Sequence, residues 1–114
     1  MESDCIFCKI IAGDIPANIL YQDDDVLAFH DINPQAPRHF LVIPKKHIKD
    51  PASATSSDQA LMGKLFLKGA ELARSEGLDD GFRLVINNGA SAGQTVFHIH
   101  LHVLGGRNMQ WPPG

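Results

Sequence analysis

The segment HIHLHV, residues 98–103, constrains the fold of this chain more than any other stretch. Histidines alternate with aliphatic residues here, and successive side chains of a β-strand point to opposite faces of a sheet. The pattern therefore predicts a strand that turns three imidazoles to one face and sends Ile99, Leu101 and Val103 into a core. A solvated strand face usually carries Thr, Lys, Glu or Ser, so this alternation favours a functional interpretation over a merely polar surface.

The rest of the chain predicts an α+β fold with a five-stranded, largely antiparallel sheet, one long helix and one short helix. Hydrophobic periodicity and turn residues place helices at residues 6–12 and 56–77, and strands at residues 19–22, 26–30, 39–43, 82–87 and 98–104. Ser56 and Gln59 have the spacing of a capping box at the start of the long helix, and Gly77 fits its C-terminal cap. The length of 114 residues predicts one domain, residues 1–114.

Composition and charge exclude several classes of function. The formal net charge is −3 and the Lys and Arg residues are scattered, so we expect no nucleic-acid partner. The chain has no apolar run of the roughly twenty residues that a membrane helix needs. Its first residues are acidic where a signal peptide would be basic, which predicts a cytoplasmic protein with no membrane association.

Two chemistries suit the alternating histidines, His98, His100 and His102. On a strand, neighbouring same-face positions lie about 6.6 Å apart and the outer pair about 13 Å, whereas a metal–nitrogen bond is about 2.1 Å. Two of the imidazoles can therefore share an ion, but a three-ligand site would strain the strand. The other chemistry is nucleophilic attack on phosphorus by a neutral imidazole, with flanking imidazoles donating to the phosphate oxygens.

The motif Cys5-Ile6-Phe7-Cys8 is half of a tetrahedral zinc site. A redox pair fits less well, because no βαβ pattern surrounds it. Two unlinked thiols, one of them buried, are the remaining alternative.

Three stretches resemble the histidine triad (HIT) family and, within it, the nucleotide-binding Hint branch. They are AFHDINPQAPRHFLVIPKKHI (28–48), NNGASAGQTVFHIHLHVLGGR (87–107) and MQWPPG (109–114), and the triad signature falls on residues 98–104. The resemblance covers essentially the whole chain and implies a HIT-like fold. It also implies a homodimer in which the tail around Trp111 reaches toward the partner's site.

The resemblance also implies roles for individual residues. His100 matches the nucleophile that forms a nucleotidyl-histidine, His102 a contact to phosphate oxygens, and His98 a support for the nucleophile and for proton transfers. The implied nucleotide-binding residues are Asp31 for the ribose, Asn87, Gly93 and Thr95 for the phosphate, and Phe7, Ile10, Phe29, Ile32 and Leu41 for the base. Packing in an ordinary core is the better interpretation of Phe29 and Leu41 from sequence alone.

The implied activity is that of a purine nucleoside phosphoramidase, which cleaves the P–N bond of adenosine 5′-phosphoramidates and releases AMP without needing a metal. A dinucleoside polyphosphate hydrolase and a nucleotide-binding scaffold protein with incidental turnover are the alternatives. Family members that carry the cysteine pair resemble zinc binders, which implies a structural zinc held by Cys5, Cys8, His47 and His98.

Overall fold

The computed structural model describes residues 4–114. Within them, five antiparallel strands form one sheet in the order β1-β2-β3-β5-β4. The strands are β1 (Ile19–Gln22), β2 (Val26–His30), β3 (Arg38–Pro44), β4 (Phe82–Ile86) and β5 (Leu101–Gly105), and the helices are α1 (Ile6–Ala12) and α2 (Gln59–Ser75). The predicted α+β fold is confirmed. Part of the acidic start of the chain, on which the expectation of no signal peptide rests, lies outside the described residues.

The two faces of the sheet pack against different helices. Alternate residues of β2, β3 and β5 face α2 and form the larger core, which contains Val26, Ala28, Phe40, Val42, Ile99, Leu101, Val103, Leu65, Leu72 and Ala73. The other face packs against α1 in a second cluster, which contains Cys5, Phe7, Cys8, Leu27, Phe29, Leu41 and Ile43. The prediction that Ile99, Leu101 and Val103 are core residues is confirmed, and α1 lies on the face toward which the histidines point.

The long helix is shorter than the predicted residues 56–77 and begins differently. Its capping box is one residue earlier than the predicted Ser56–Gln59 pair, because the Asp58 carboxylate accepts the backbone N–H of Thr55 at 2.9 Å. Residues 56–58 form a 3₁₀ turn before α2 starts. Gly77 ends the helix as predicted: its φ is +84°, and its N–H donates to the carbonyl of Arg74 at 3.0 Å.

The predicted strand 98–104 is wrong at its start, because β5 begins only at Leu101. The last β3–β5 pair is Val42 with Leu101, and extending the ladder would place Pro44 opposite the segment 98–100. Proline has no N–H to contribute to that ladder. Residue 87 likewise falls outside β4, since β4 pairs with β5 only up to Leu101.

No helix within residues 4–114 is long and apolar enough to cross a membrane.

Candidate active site and metal centre

Two cysteines and two histidines meet at the start of α1. Cys5 caps this helix, and its Sγ accepts the N–H of Cys8 at 3.3 Å. The Nδ1 of His98 lies 3.4 Å from Cys5 Sγ, 3.6 Å from Cys8 Sγ and 3.2 Å from His47 Nδ1. The Nδ1 of His47 lies 3.3 Å from Cys8 Sγ. The four residues that the family resemblance implied as ligands thus have their ligand atoms within 4.8 Å of one another.

These distances fit a tetrahedral ion. Bonds of about 2.3 Å to sulfur and about 2.05 Å to nitrogen give tetrahedral edges of about 3.3 Å between nitrogens and about 3.5 Å between sulfur and nitrogen. The donor set, two thiols and two imidazoles, is one that zinc accepts. Both cysteines are buried, as a closed structural site requires. The residues therefore fit zinc in chemistry and in geometry.

A hydrogen bond to the main chain fixes the tautomer of His98. Its Nε2 lies 2.8 Å from the carbonyl oxygen of Pro44. A carbonyl only accepts, so Nε2 carries the proton and the lone pair is on Nδ1, which faces the cysteines. The residue is fully buried, and burial lowers the pKa of His98 to about 4, which keeps it neutral. The proline that ends the sheet ladder therefore also orients the His98 ring, with its lone pair toward the cysteines.

His100 has the opposite arrangement. Its Nδ1 lies 2.8 Å from the carbonyl oxygen of His98, so the proton is on Nδ1 and the lone pair on Nε2. Burial is the main cause that lowers the pKa of His100. The ring of Phe7 from α1 meets the imidazole edge-on, with centroids 5.1 Å apart. This neutral imidazole, held through one nitrogen, has the form that a nucleophile toward phosphorus requires.

His98 contacts the His100 ring through its backbone carbonyl and not through its own ring. Its ring nitrogens face Pro44 and the cysteine pair, while its carbonyl holds His100. Among the described residues, the His98 ring makes no hydrogen bond to the His100 ring, and the predicted part of His98 in proton transfer stays a prediction.

His102 lies beside His100, with ring centroids 5.0 Å apart. Its Nδ1 is 2.9 Å from Nε2 of His39, which is in turn 3.4 Å from Oδ2 of Asp31. Burial is the largest cause that lowers the pKa of His102 to about 4, and it also lowers the pKa of His39. His39 was not among the predicted site residues.

The residues predicted for the base and ribose do not all meet. Phe7, Phe29 and Leu41 are buried in the α1-side cluster, and Ile10 packs against it. Ile32, in contrast, is fully exposed in this chain. Asp31 follows β2, and its Oδ1 accepts the N–H of Asn33 at 2.8 Å while Oδ2 faces His39.

The residues predicted for the phosphate lie in and beside the loop 88–93. Gly93 has φ +97°, which favours glycine, and the position of a Cβ there would be 3.9 Å from Nδ2 of Asn87. Thr95 is exposed and lines a cavity of about 630 Å³ beside the metal group, together with His47 and Lys49. The structure thus brings Asn87 and Gly93 together and places Thr95 on the side of the metal ligands.

Gln94 was also not among the predicted site residues. Its buried side chain accepts the N–H of Gly89 at 2.8 Å and donates to the carbonyls of Lys49 and Val96 at 2.8 and 3.0 Å. It ties the loop to the segment after β3. A glutamine between a glycine-rich loop and an apolar run was the only signal in the sequence.

The five-stranded sheet, with His98 and His100 buried and His102 partly exposed beside them, defines the class of histidine triad proteins. The HIT domain family matches residues 12–109. The chain is 60% identical to an uncharacterized HIT-like protein of Synechocystis sp. and 54% identical to one of Synechococcus elongatus, and each match covers all of both chains. The chain therefore belongs to the HIT family.

Solved structures of HIT family proteins have the same fold as this chain. A HIT family hydrolase from Legionella pneumophila has a TM-score of 0.95 and 50% identity, covering 97% of this chain and 100% of that one. A histidine triad protein from Clostridium difficile has a TM-score of 0.92 and 40% identity, covering 96% of each chain.

Proposed function

We propose that the chain is a purine nucleoside phosphoramidase of the Hint branch, acting on adenosine 5′-phosphoramidates. The observation that carries the proposal is the tautomer of His100: its Nδ1–H donates to the His98 carbonyl and leaves a lone pair on Nε2. A histidine nucleophile needs that lone pair at neutral pH.

The reaction has two steps. In the first, Nε2 of His100 forms a bond to the α-phosphorus, the P–N bond breaks, and the amine leaves after taking a proton from solvent. In the second, the oxygen of a water molecule bonds to phosphorus, the bond between phosphorus and Nε2 of His100 breaks, the proton lost by the water goes to solvent, and AMP leaves. His102 donates to the phosphate oxygens, whose negative charge is redistributed in each transition state.

Other residues bind the substrate. Asp31 accepts the ribose hydroxyls, and the loop around Gly93 contributes backbone N–H groups to the phosphate, together with Asn87 and Thr95. The apolar side chains beside His100, Phe7 among them, receive the base. These roles rest on the resemblance to the family and on the position of these residues on the histidine side of the sheet.

Zinc at Cys5, Cys8, His47 and His98 has a structural role in this proposal. When bound, it supplies a fixed cross-link rather than a reacting group, because four protein ligands fill a tetrahedral site. It ties α1 to the segment that carries His98, and α1 brings Phe7 against His100 at 5.1 Å between ring centroids.

The functional unit in this proposal is a homodimer of one-domain chains. β4 lies at an edge of the sheet, and all five of its residues are partly exposed. Edge strands present unpaired backbone groups that proteins usually cover. Trp111 is 82% exposed, and it follows Gln110, whose carbonyl accepts a hydrogen bond from Arg83 on β4 at 2.8 Å.

A turnover assay tests the proposed activity. The purified chain is given adenosine phosphoramidate, AMP-lysine and a diadenosine polyphosphate in parallel, and AMP release is measured. We expect kcat/KM to be highest for a P–N substrate. A preference for the polyphosphate would identify a dinucleoside polyphosphate hydrolase, and AMP binding without turnover of any substrate would identify a nucleotide-binding scaffold.

A further inference from the structure

His39 and His102 lie side by side on neighbouring strands. In the β3–β5 register, Leu41 pairs with His102 and His39 pairs with Leu104, so the two histidines project from the same face. Their rings have centroids 5.2 Å apart, and His39 Nε2 lies 2.9 Å from His102 Nδ1. This is a hydrogen-bond distance, and the direction of the bond depends on which ring carries the proton.

A backbone group decides that direction. The N–H of Gln35 donates to Nδ1 of His39 at 3.0 Å. A nitrogen that accepts a hydrogen bond carries no proton, so the neutral His39 ring is protonated on Nε2. His39 is buried, and burial lowers its pKa, which agrees with a neutral ring. Its Nε2–H therefore points to His102, with Oδ2 of Asp31 on the same side at 3.4 Å.

The tautomer of His102 follows. Its Nδ1 accepts the proton of His39, so its own proton is on Nε2. His100 has the reverse arrangement, with the proton on Nδ1. Two adjacent imidazoles are thus held in opposite tautomers: His100 offers a lone pair at Nε2, and His102 offers a hydrogen-bond donor at Nε2.

The protonation of His39 also decides whether this cluster can bind a metal ion. Asp31, His39 and His102 bring ligand atoms within 4.8 Å of one another, as the cysteine group does. At the cysteine group, the Pro44 carbonyl leaves a lone pair on the ligand nitrogen of His98. Here the Gln35 N–H places the proton on the nitrogen of His39 that would have to bind the ion. The short contact between His39 and His102 is therefore a hydrogen bond.

We propose that His39 is a positioning residue: by accepting the Gln35 N–H and donating to His102, it holds His102 as an Nε2–H donor toward the substrate phosphate. This inference rests on the proposed function only for the identity of the acceptor. His39 touches no reacting atom and acts through His102, as an outer residue orients an inner one.

Two substitutions separate this role from packing. In His39→Gln, the side-chain NH₂ can reach the place of Nε2 and keep the bond to His102. In His39→Asn, the shorter amide reaches only the place of Nδ1, and the bond is lost. We expect His39→Asn to lower kcat about ten- to a hundredfold with KM changed less than about threefold, and His39→Gln to keep kcat within about threefold of wild type. Equal kcat in His39→Asn and wild type would overturn the proposal.

A nuclear magnetic resonance measurement needs no substrate. Long-range ¹H–¹⁵N correlation of the histidine rings reports which nitrogen of His102 is protonated. We expect the Nε2–H tautomer in wild type and in His39→Gln, and a mixture of tautomers in His39→Asn. An Nδ1–H tautomer of His102 in wild type would overturn the proposal even if no variant folds. If the tautomers are as expected but no P–N substrate is turned over, the positioning role of His39 stands and the proposed phosphoramidase activity is rejected.

Discussion

The carbonyl oxygen of His98 accepts the Nδ1–H of His100 at 2.8 Å. The ring of His98 belongs to the cysteine and histidine group, and its backbone holds the neighbouring triad imidazole. The candidate metal centre and the proposed nucleophile are therefore linked through one residue. A change in the position of His98 would alter both.

We expect His100→Ala to remove nearly all turnover while AMP affinity stays within about tenfold, because the nucleophile matters chiefly once the P–N bond breaks. Steady-state kinetics and equilibrium binding measure the two quantities. His30→Gln, a histidine at the end of β2 outside both groups, is the control. Mass spectrometry of quenched wild-type enzyme should find the nucleotidyl adduct on His100. An adduct on His98 or His102 would reverse the assignment of roles.

Cys5→Ser combined with Cys8→Ser should remove bound zinc and lower the melting temperature. Protein purified without a histidine tag should contain about one zinc per chain. Metal analysis and thermal unfolding check both expectations, and His30→Gln should keep its metal. Stoichiometric metal in the double variant would show that the ion binds elsewhere.

Asp31→Asn should weaken AMP binding by about 1–3 kcal/mol, because one acceptor for the ribose hydroxyls becomes a donor. The turn itself should survive, since an asparagine keeps the Oδ1 that accepts the N–H of Asn33. Calorimetric titration with AMP measures the loss, and Asp24→Asn in the exposed β1–β2 turn provides a matched change of charge. Unchanged affinity in Asp31→Asn would remove this residue from the site.

Two glycines of α2 should respond differently to alanine. At Gly63 an added Cβ meets nothing within 4 Å, so Gly63→Ala should stabilise the protein by about 0.5–1 kcal/mol through helix propensity. At Gly69 the Cβ would lie 3.0 Å from Leu101 and 3.4 Å from Val103 on β5. Denaturant unfolding should show the gain at Gly63 and a smaller gain or a loss at Gly69. A larger gain at Gly69 would contradict this close packing of α2 on β5.

Asp23→Asn should lower the free energy of unfolding at pH 7 by about 1 kcal/mol. Tyr21 donates to the Asp23 carboxylate at 2.7 Å, and this bond is the largest cause that lowers its pKa in the folded chain; Lys64 adds an ion pair at 3.0 Å. A lowered folded-state pKa means that the ionised group stabilises above its ordinary value of 3.8 and that this contribution is lost as the pH falls toward the folded-state value. The difference in the free energy of unfolding between variant and wild type, measured by denaturant unfolding, should therefore shrink in acid. A difference that does not change with pH would contradict this role of the Asp23 carboxylate.

The sequence predicted β1, β2 and α1 with the bounds that the structure has, because turn residues and a glycine cap mark their ends locally. The segment 98–100 was predicted as strand because its alternation continues outside the ladder: Ile99 is still buried in the core while its N–H donates to the carbonyl of Ile48. The strand ends because its pairing partner, β3, reaches Pro44 there, and β3 is distant in sequence.

The group of two cysteines and two histidines could be predicted from a motif and a family resemblance, but the tautomers of the histidine rings could not. His39 is the second residue of β3, and nothing in its local sequence indicates that β5 is the neighbouring strand. Its contact with His102 arises from strand order, which local patterns do not encode. Gln94 was missed for the same reason, since its partners include the carbonyl of Lys49.

The groups that set the tautomers of His39, His98 and His100 belong to the main chain: the N–H of Gln35 and the carbonyls of Pro44 and His98. Peptide groups do not titrate in the working range of the protein, and they persist when a side chain is exchanged. A replacement of the Gln35 side chain that preserves the turn would therefore leave the proton on the same nitrogen of His39. The arrangement of donors and acceptors is therefore set by the course of the backbone. Side-chain substitutions at the positions that supply these peptide groups leave it unchanged as long as the backbone keeps its course.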